Sequence, residues 1–244
     1  DTVNTHKYSD IAGGSRRLTT YERFVIQESV ENAIKQLTGQ NVEVFGAGRT
    51  DSGVHALNQV AHFDLQKIFK IDSIRDGLNK FLQPQPISII KAEKVSNNFH
   101  ARFSAKQRQY SYKIINRRPP LTIENDLAWA IHKKLNISKM QEATIFFVGK
   151  HDLNAFRSVD CQSKTSIKSI DQVEVNNIDN RITINVKAKS FLHSQVRIMV
   201  GTLIYVGEEK INPKDIKTII EKNDRKNAGP TAPAKGLYLT NIIY

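Results

Sequence analysis

The sequence contains little cysteine and no long apolar run. Cys161 is the single cysteine among the 244 residues, so these residues form no internal disulfide and no cysteine-rich zinc site. No apolar run approaches the roughly 20 residues that a membrane helix needs. The N-terminal residues show no basic segment followed by a hydrophobic stretch, which a secretory signal would require. These absences predict a protein of a reduced, cytoplasmic setting that does not span a membrane.

Basic residues are in clear excess over acidic ones. Lysine and arginine total 36 against 24 aspartates and glutamates, which gives a formal net charge of +12. Hydrophobic residues make up 39% and charged residues 25%, as in ordinary globular proteins. The positive charge favours a polyanionic partner and salt-sensitive binding. Charge alone does not separate tRNA from DNA or from a membrane surface.

The hydrophobic periodicity predicts helices and strands that mix without strict alternation. Helices are predicted over 26–37 (ended by Gly39), from a cap at Asp72 or Ser73 to 82, from a Ser138–Gln141 capping box through 147, over 192–206, and from Pro213 to 221. Strands are predicted over 42–45, 60–63, 87–92, 108–116, 182–186 and 237–243. This order favours an α+β fold over a doubly wound sheet.

The stretch from Phe45 to Phe63 places one acid, Asp51, among three glycines and two residues after Arg49. A carboxylate on a glycine-rich turn between strands lies at a loop tip, where functional residues concentrate. If the backbone there is extended, the two side chains can face one cleft. The alternative is a plain hairpin whose turn contains glycines and a surface ion pair.

Two further interpretations of this stretch are disfavoured. His55, His62 and Asp64 suggest a metal site, but no cysteine ligand is nearby and the ligand set is incomplete. Gly46-Ala-Gly48 suggests a phosphate-binding loop, but no Gly-Lys-Ser/Thr follows it. The sequence therefore predicts neither a metal nor a bound nucleotide cofactor.

The string Gly48-Arg-Thr-Asp-Ser-Gly-Val-His-Ala56 closely resembles the active-site motif of the A-type tRNA pseudouridine synthases, which modify the anticodon stem-loop. Segments similar to other parts of that family follow in the same order, over 98–105 with Tyr110-Ser-Tyr112, 156–163, 190–197 with Gly201, and 229–238. The resemblance covers roughly residues 24–244. Family members also open with a strand, a Tyr-Asp-Gly turn and a Gly-Trp-Gln segment, of which residues 1–20 show no clear version.

The resemblance implies a fold and a function. The implied fold is α+β, with two related lobes around a continuous, mainly antiparallel β-sheet, flanking helices and a central basic cleft. The N-terminal lobe, residues 1–100, carries the Asp51 turn, and residues 101–244 form the C-terminal lobe. The implied function is isomerisation of uridine to pseudouridine at tRNA positions 38, 39 and 40, by a homodimer that uses no cofactor and no metal.

The resemblance also implies roles for individual residues. Asp51 is the catalytic nucleophile, which attacks either the ribose or C6 of the base, and Arg197 keeps its carboxylate ionised. Tyr110 stacks on the target uracil or moves a proton. For Tyr112, its place on the same face of the alternating strand, and not the resemblance, predicts a core position. Arg49 assists extrusion of the uridine. The remaining substrate-binding residues are Leu237, His100, Arg102, Arg157 and Gln162.

Two other functional classes compete with this one. A non-catalytic tRNA-binding or folding module would share the charge and the RNA-contacting segments, but it has no need of Asp51, Arg197 and Tyr110 together. A metal-dependent nuclease would require clustered acids that the sequence does not show. Mapping pseudouridine in unmodified tRNA transcripts separates these alternatives.

Overall fold

The computed structural model describes residues 6–14, as backbone, and residues 25–244. In this part of the chain the strands are β1 (His6–Gly14), β2 (Phe45–Gly46), β3 (His55–Leu65), β4 (Ser88–Lys94), β5 (Gln107–Asn116), β6 (Trp129–Ile131), β7 (Gly149–Asp152), β8 (Ile167–Ile178), β9 (Arg181–Ala188) and β10 (Leu237–Ile243). The helices are α1 (Val25–Thr38), α2 (Ile71–Leu82), α3 (Ile137–Thr144), α4 (Gln195–Gly207) and α5 (Asp215–Lys222). None of these helices is long and apolar enough to cross a bilayer.

The chain divides into two compact units. The first contains the described residues up to Lys106 together with Leu239–Tyr244, and the second is Gln107–Tyr238. In the first unit the strands lie in the order β4-β1-β3-β10, and β2 pairs with β3. β1 pairs antiparallel with both β3 and β4. The sequence had not predicted β1. Of residues 1–20, the segment that departs from the family pattern, residues 1–5 and 15–20 lie outside the described residues.

Helices α1 and α2 build the core of the first unit. Each presents one apolar face at helical spacing, and these faces pack with residues of β3, β4 and the segment before β2; the buried members include Val30, Ala33, Ile34, Val44, Phe63, Leu65, Ile74, Leu78, Leu82 and Ile89. At Gly77 an added Cβ would lie 2.5 Å from Cδ1 of Leu37. A glycine on α2 therefore permits the close approach of the two helices.

Residues 239–244 complete the first unit. The Asn58 Nδ2 group donates to Asn241 Oδ1 at 2.8 Å, and the Lys106 N–H donates to the Ile243 carbonyl oxygen at 2.7 Å. The Tyr244 hydroxyl donates to the Ala101 carbonyl oxygen at 2.8 Å. These contacts join segments that are far apart in the sequence.

The second unit contains a sheet in the order β5-β9-β8-β7, with β6 beside β5. The pairs β5–β9, β9–β8 and β8–β7 are antiparallel, whereas β5 and β6 run parallel. Ile182, Ile184 and Val186 of β9 are buried and alternate with more exposed residues. Helix α4 is buried on nearly all sides. The predicted α+β class with mainly antiparallel strands is confirmed.

The predicted helices are present, but their predicted starts need correction. The N-cap of α3 is Asn136, whose side chain accepts from the Lys139 N–H at 3.2 Å, so the Ser138–Gln141 capping box does not form. Gln141 instead donates to the Val175 carbonyl oxygen at 3.0 Å. The N-cap of α2 is Lys70, without a side-chain hydrogen bond, so neither Asp72 nor Ser73 caps that helix.

Candidate active site

Asp51 lies between β2 and β3 on a tight turn that depends on a glycine. The Val54 N–H donates to the Asp51 carbonyl oxygen at 3.0 Å. Gly53, the third residue of this turn, has a φ of +81°, which glycine adopts without steric cost and type II turns require. The Asp51 side chain is half-buried. A Cβ at position 53 would strain the backbone two residues from this carboxylate.

The strand beside the turn holds the start of the loop in place. The Ala47 N–H donates to the Val60 carbonyl oxygen at 2.8 Å. The Gln59 side chain, on β3, donates to the Gly48 carbonyl oxygen at 3.0 Å. Arg49, the next residue, is exposed. The backbone is thus fixed directly before Arg49, while the arginine side chain reaches solvent.

Two histidines shape the segment that contains His100 and Arg102. The Ala101 N–H donates to Nδ1 of His62 at 3.0 Å. Nδ1 of His100 accepts from the Arg102 N–H at 3.1 Å and lies 3.4 Å from the Phe103 nitrogen. Both imidazoles therefore serve as acceptors for the backbone of this turn. Arg102 and Phe103 are exposed, and the Arg102 guanidinium lies 5.9 Å from the Phe103 ring centroid.

Phe45 of β2 connects this histidine turn to the Asp51 loop. Its ring stacks on His62 with centroids 5.1 Å apart and lies 5.6 Å from His100. The two histidine rings are 4.6 Å apart. Aromatic packing of this kind fixes ring positions beyond simple burial. The first unit therefore brings the His100 segment beside the strand that leads into the Asp51 loop.

The metal interpretation of His55, His62 and Asp64 finds no support in the geometry. His62 is buried, and its Nδ1 accepts a backbone hydrogen bond. Asp64 is exposed, two residues along the same strand. Within the described residues, no group of three histidine, cysteine, aspartate or glutamate side chains is arranged to hold a metal ion.

Tyr110 lies on β5 in the second unit. It is half-buried, and its ring meets the edge of Phe191 at 5.3 Å between centroids and 87° between planes. Tyr112, two residues further on, is fully buried and donates from its hydroxyl to the Pro233 carbonyl oxygen at 2.7 Å. The prediction that Tyr112 belongs to the core agrees with this burial, but no pattern in the sequence predicted the hydrogen bond.

Arg197 lies in the first turn of α4 and binds one residue of a following loop twice. Its Nε donates to the Ala232 carbonyl oxygen at 2.7 Å, and the Ala232 N–H donates to the Arg197 carbonyl oxygen at 3.1 Å. The Arg197 side chain is half-buried. The bond from Nε fixes the plane of the guanidinium group relative to this loop.

The remaining residues of the resemblance also lie in the second unit. Arg157 is half-buried and Gln162 is exposed in a loop, which is held by the Ser158 N–H donating to the His193 carbonyl oxygen at 3.1 Å. Leu237, the first residue of β10, is 6% exposed. The second unit thus carries Tyr110, Arg157, Gln162, Arg197 and Leu237, and the first carries Arg49, Asp51, His100 and Arg102.

Known proteins resemble this chain over segments that carry residues of the candidate site. The family model described as tRNA pseudouridine synthase matches residues 5–104 and 143–244. A tRNA pseudouridine synthase A of Anaplasma phagocytophilum (strain HZ) is 49% identical over 219 residues, covering 90% of this chain and 89% of the relative. Proteins of the same name from Wolbachia pipientis wMel and Maricaulis maris (strain MCS10) are 47% and 46% identical, again over 90% of this chain, covering 89% and 88% of those relatives. The chain therefore belongs to the tRNA pseudouridine synthase family.

Proposed function

We propose that this protein isomerises uridine to pseudouridine in the anticodon stem-loop of tRNA, at positions 38, 39 and 40. Its family and the names of its relatives support this activity. The observation that carries the proposal is Asp51, a half-buried carboxylate on a turn that Gly53 makes possible, within the matched residues 5–104. The net charge of +12 suits a polyanionic substrate.

The reaction exchanges one bond between the base and the ribose for another, and it moves one proton. The bond between N1 of uracil and the ribose breaks, the base rotates, and a bond forms between C5 and the same ribose carbon. C5 then loses a proton and N1 gains one, so no electrons enter or leave and no redox cofactor is required. The ionised Asp51 carboxylate acts as the nucleophile, on the ribose or on C6 of the base.

The other residues act on the same nucleotide or on the surrounding RNA. Arg197 favours the ionised form of Asp51, because an arginine stabilises a nearby carboxylate charge. Tyr110 stacks on the uracil or removes the C5 proton. Arg49 fills the space that the extruded uridine leaves. Leu237 lines the uracil pocket, and the RNA backbone is contacted by His100, Arg102, Arg157 and Gln162.

We further propose an assembly in which two copies bind tRNA together. Each copy contributes the Asp51 turn from its first unit, and Tyr110 and Arg197 from its second unit. The support for this arrangement is the resemblance of the chain to a family of homodimers. Light scattering of the purified protein, alone and with tRNA, tests it directly.

The decisive experiment is the Asp51→Asn variant on unmodified tRNA transcripts, with pseudouridine mapped at each position. We expect turnover to be lost while folding and tRNA affinity persist, because the amide is nearly isosteric but is a far weaker nucleophile. Asp64→Asn is the matched control, since Asp64 is an exposed carboxylate in the same unit. Pseudouridine formation by pure Asp51→Asn protein would contradict the assignment. A wild-type protein that binds tRNA without modifying it would favour the non-catalytic module.

A further inference from the structure

The loop of residues 229–236, here called the proline loop, is fixed to the second unit by buried side chains. Thr202 of α4 accepts from the Gly229 N–H at 2.9 Å, and Tyr112 of β5 donates to the Pro233 carbonyl oxygen at 2.7 Å. Between these two points, Ala232 forms its two hydrogen bonds with Arg197. The loop is therefore held on both sides of the residue that Arg197 binds.

The hydroxyl groups of Thr202 and Tyr112 both form their hydrogen bonds to the proline loop in the buried interior. Thr202 and Tyr112 are both 0% exposed, and a buried hydroxyl is costly unless it is hydrogen-bonded. The Thr202 hydroxyl also donates to the Ile198 carbonyl oxygen at 2.8 Å, so it connects the backbone of α4 directly to the loop. Burial raises the pKa of the Tyr112 hydroxyl, against the opposing effect of the nearby Arg197 charge. Tyr112 therefore stays a hydrogen-bond donor at physiological pH.

Glycines permit the close contacts on which this arrangement depends. A Cβ at Gly201 would lie 1.8 Å from the Pro230 carbonyl oxygen, and one at Gly229 would lie 2.5 Å from the backbone of Gly201. A Cβ at Gly236 would lie 2.6 Å from Cζ of Tyr112. The proline loop thus lies directly against the backbone of α4 at one end and against the Tyr112 ring at the other.

The orientation of Arg197 follows from the position of the loop. Its Nε is bound to the Ala232 carbonyl oxygen, and the guanidinium group is planar with its donors in a fixed fork. A shift of the Ala232 carbonyl oxygen therefore moves Nε, and the two Nη groups turn with it because they belong to the same rigid plane. Both fixed points that prevent this shift, Thr202 and Tyr112, lie outside the residues assigned to the substrate.

We propose that Thr202 and Tyr112 are positioning residues of the isomerisation, which hold the proline loop so that it orients the guanidinium group of Arg197. This inference rests on the proposed function, because it takes Arg197 to act on the reacting groups. It adds two residues that touch neither the substrate nor Asp51 in the proposed mechanism. Their contribution is expected in turnover and not in tRNA affinity.

The test removes each hydroxyl while keeping the shape of the side chain. Thr202→Val and Tyr112→Phe should lower kcat between about tenfold and 10²-fold, as small misplacements of active-site groups do, and leave the Kd for tRNA within about twofold. Thr202→Ser restores the hydroxyl and should recover most of the turnover. The matched controls are Thr218→Val, an exposed threonine of α5, and Tyr205→Phe, a half-buried tyrosine of α4, which should both behave as wild type.

Two further measurements separate positioning from a general loss of stability. Hydrogen exchange of the amides of residues 229–236 should accelerate in Thr202→Val and return to the wild-type rate in Thr202→Ser, whether or not the protein is active. In an Arg197→Lys background, assayed by single turnover, Thr202→Val should add much less than its effect in the wild type, because both changes act through the same group.

The inference is overturned if Thr202→Val keeps full kcat, or if its loss of kcat is the same factor in the Arg197→Lys background. It is also overturned if Thr202→Ser loses as much turnover as Thr202→Val, since the hydroxyl would then be irrelevant. Failure of the proposed function looks different, because the wild-type protein itself would then form no pseudouridine.

Discussion

Replacing Gly201 by alanine has two opposing effects on the stability of the protein. Gly201 lies inside α4, where helix propensity alone predicts that alanine stabilises the protein by about 1 kcal/mol. In the structure, however, the new Cβ would lie 1.8 Å from the Pro230 carbonyl oxygen and 2.8 Å from its carbon. Because the obstructing atoms are backbone, no side-chain rotation relieves the clash.

The size of the destabilisation follows from the contacts that must break. Ordinary contact begins at 3.4 Å, so the proline loop must move away by roughly 1.6 Å, which no close-packed interior accommodates freely. That shift breaks both hydrogen bonds between Arg197 and Ala232. The neutral bond contributes about 0.5–1.5 kcal/mol and the one from the charged guanidinium about 1.5–3 kcal/mol. After the helix-propensity gain of about 1 kcal/mol is subtracted, we expect a net destabilisation of about 1–3.5 kcal/mol.

Urea unfolding followed by tryptophan fluorescence measures the change in the free energy of unfolding of the second unit, which contains both Gly201 and the reporting tryptophan. Trp129 is the only tryptophan of the chain and contacts Tyr112 at 6.2 Å between ring centroids. The matched control is Gly207→Ala in the same helix, where the Cβ would meet the flexible Met140 sulfur at 2.7 Å; we expect a change within about 1 kcal/mol because that side chain can turn away. A Gly201→Ala protein as stable as the wild type would refute the reasoning.

Variants at four further positions test other parts of the molecule. Tyr110→Phe should retain the contact with Phe191 but lose about 10²- to 10⁴-fold in kcat if the hydroxyl moves a proton, whereas Tyr110→Ala should also weaken substrate binding. Arg49→Ala should slow turnover by about 10²-fold with little loss of affinity, and a substrate whose target uridine is already unstacked should recover part of that rate. Asn136→Ala should destabilise the protein by about 1 kcal/mol in urea unfolding, because it removes the cap of α3, whereas Ser138→Ala should change it by less than about 0.5 kcal/mol.

Each of these expectations has a specific opposite. Full activity of Tyr110→Phe would reduce that residue to stacking and packing. If Arg49→Ala weakens all tRNAs equally and lowers the salt slope by about one, Arg49 is a phosphate contact and not a flipping residue. A larger effect at Ser138 than at Asn136 would place the start of α3 at the predicted capping box after all.

Helix and strand cores followed from the sequence, whereas their ends often did not. Apolar spacing predicted a helix over 26–37 within the observed α1, and Gly39 ends it with a φ of +75°. The strand predicted over 237–243 is β10. By contrast α4 begins at Gln195 rather than at Leu192, because Ser194 has a left-handed backbone with a φ of +57°, which interrupts a right-handed helix. The Gln195 side chain accepts a hydrogen bond from the Leu192 N–H at 2.7 Å.

The ends of helices and strands depend on tertiary contacts, which the spacing of apolar residues along the sequence does not encode. The strand predicted over 42–45 is reduced to β2, since the Val44 N–H donates to the Glu31 side chain at 3.0 Å instead of to a neighbouring strand. At α3, the Asn136 N–H donates to the Gly207 carbonyl oxygen at 2.8 Å. That tertiary contact places Asn136 at the start of the helix, two residues before the predicted Ser138.

In the candidate site too, some residues could be identified from the sequence, whereas their tertiary contacts could not. Asp51, Tyr110 and Arg197 were identified from short motifs that resemble those of a known family. The roles of these residues remain predictions. The pairing of Arg197 with Ala232 had no local signal, because 35 residues separate the two positions. A glycine inside the predicted helix, Gly201, and a second at Gly229 were the available signs that a loop approaches this helix closely.

Residues 239–244 make the first unit dependent on the order of protein synthesis. A ribosome that adds about 5–20 residues per second needs roughly 7–26 s to make residues 107–238 before it reaches them. Until then β3 lacks β10 beside it, and an uncovered strand edge invites pairing with other chains. The nascent first unit is therefore a candidate client for chaperones, and a synonymous change that slows translation between 107 and 238 should lower the soluble yield without altering the finished protein.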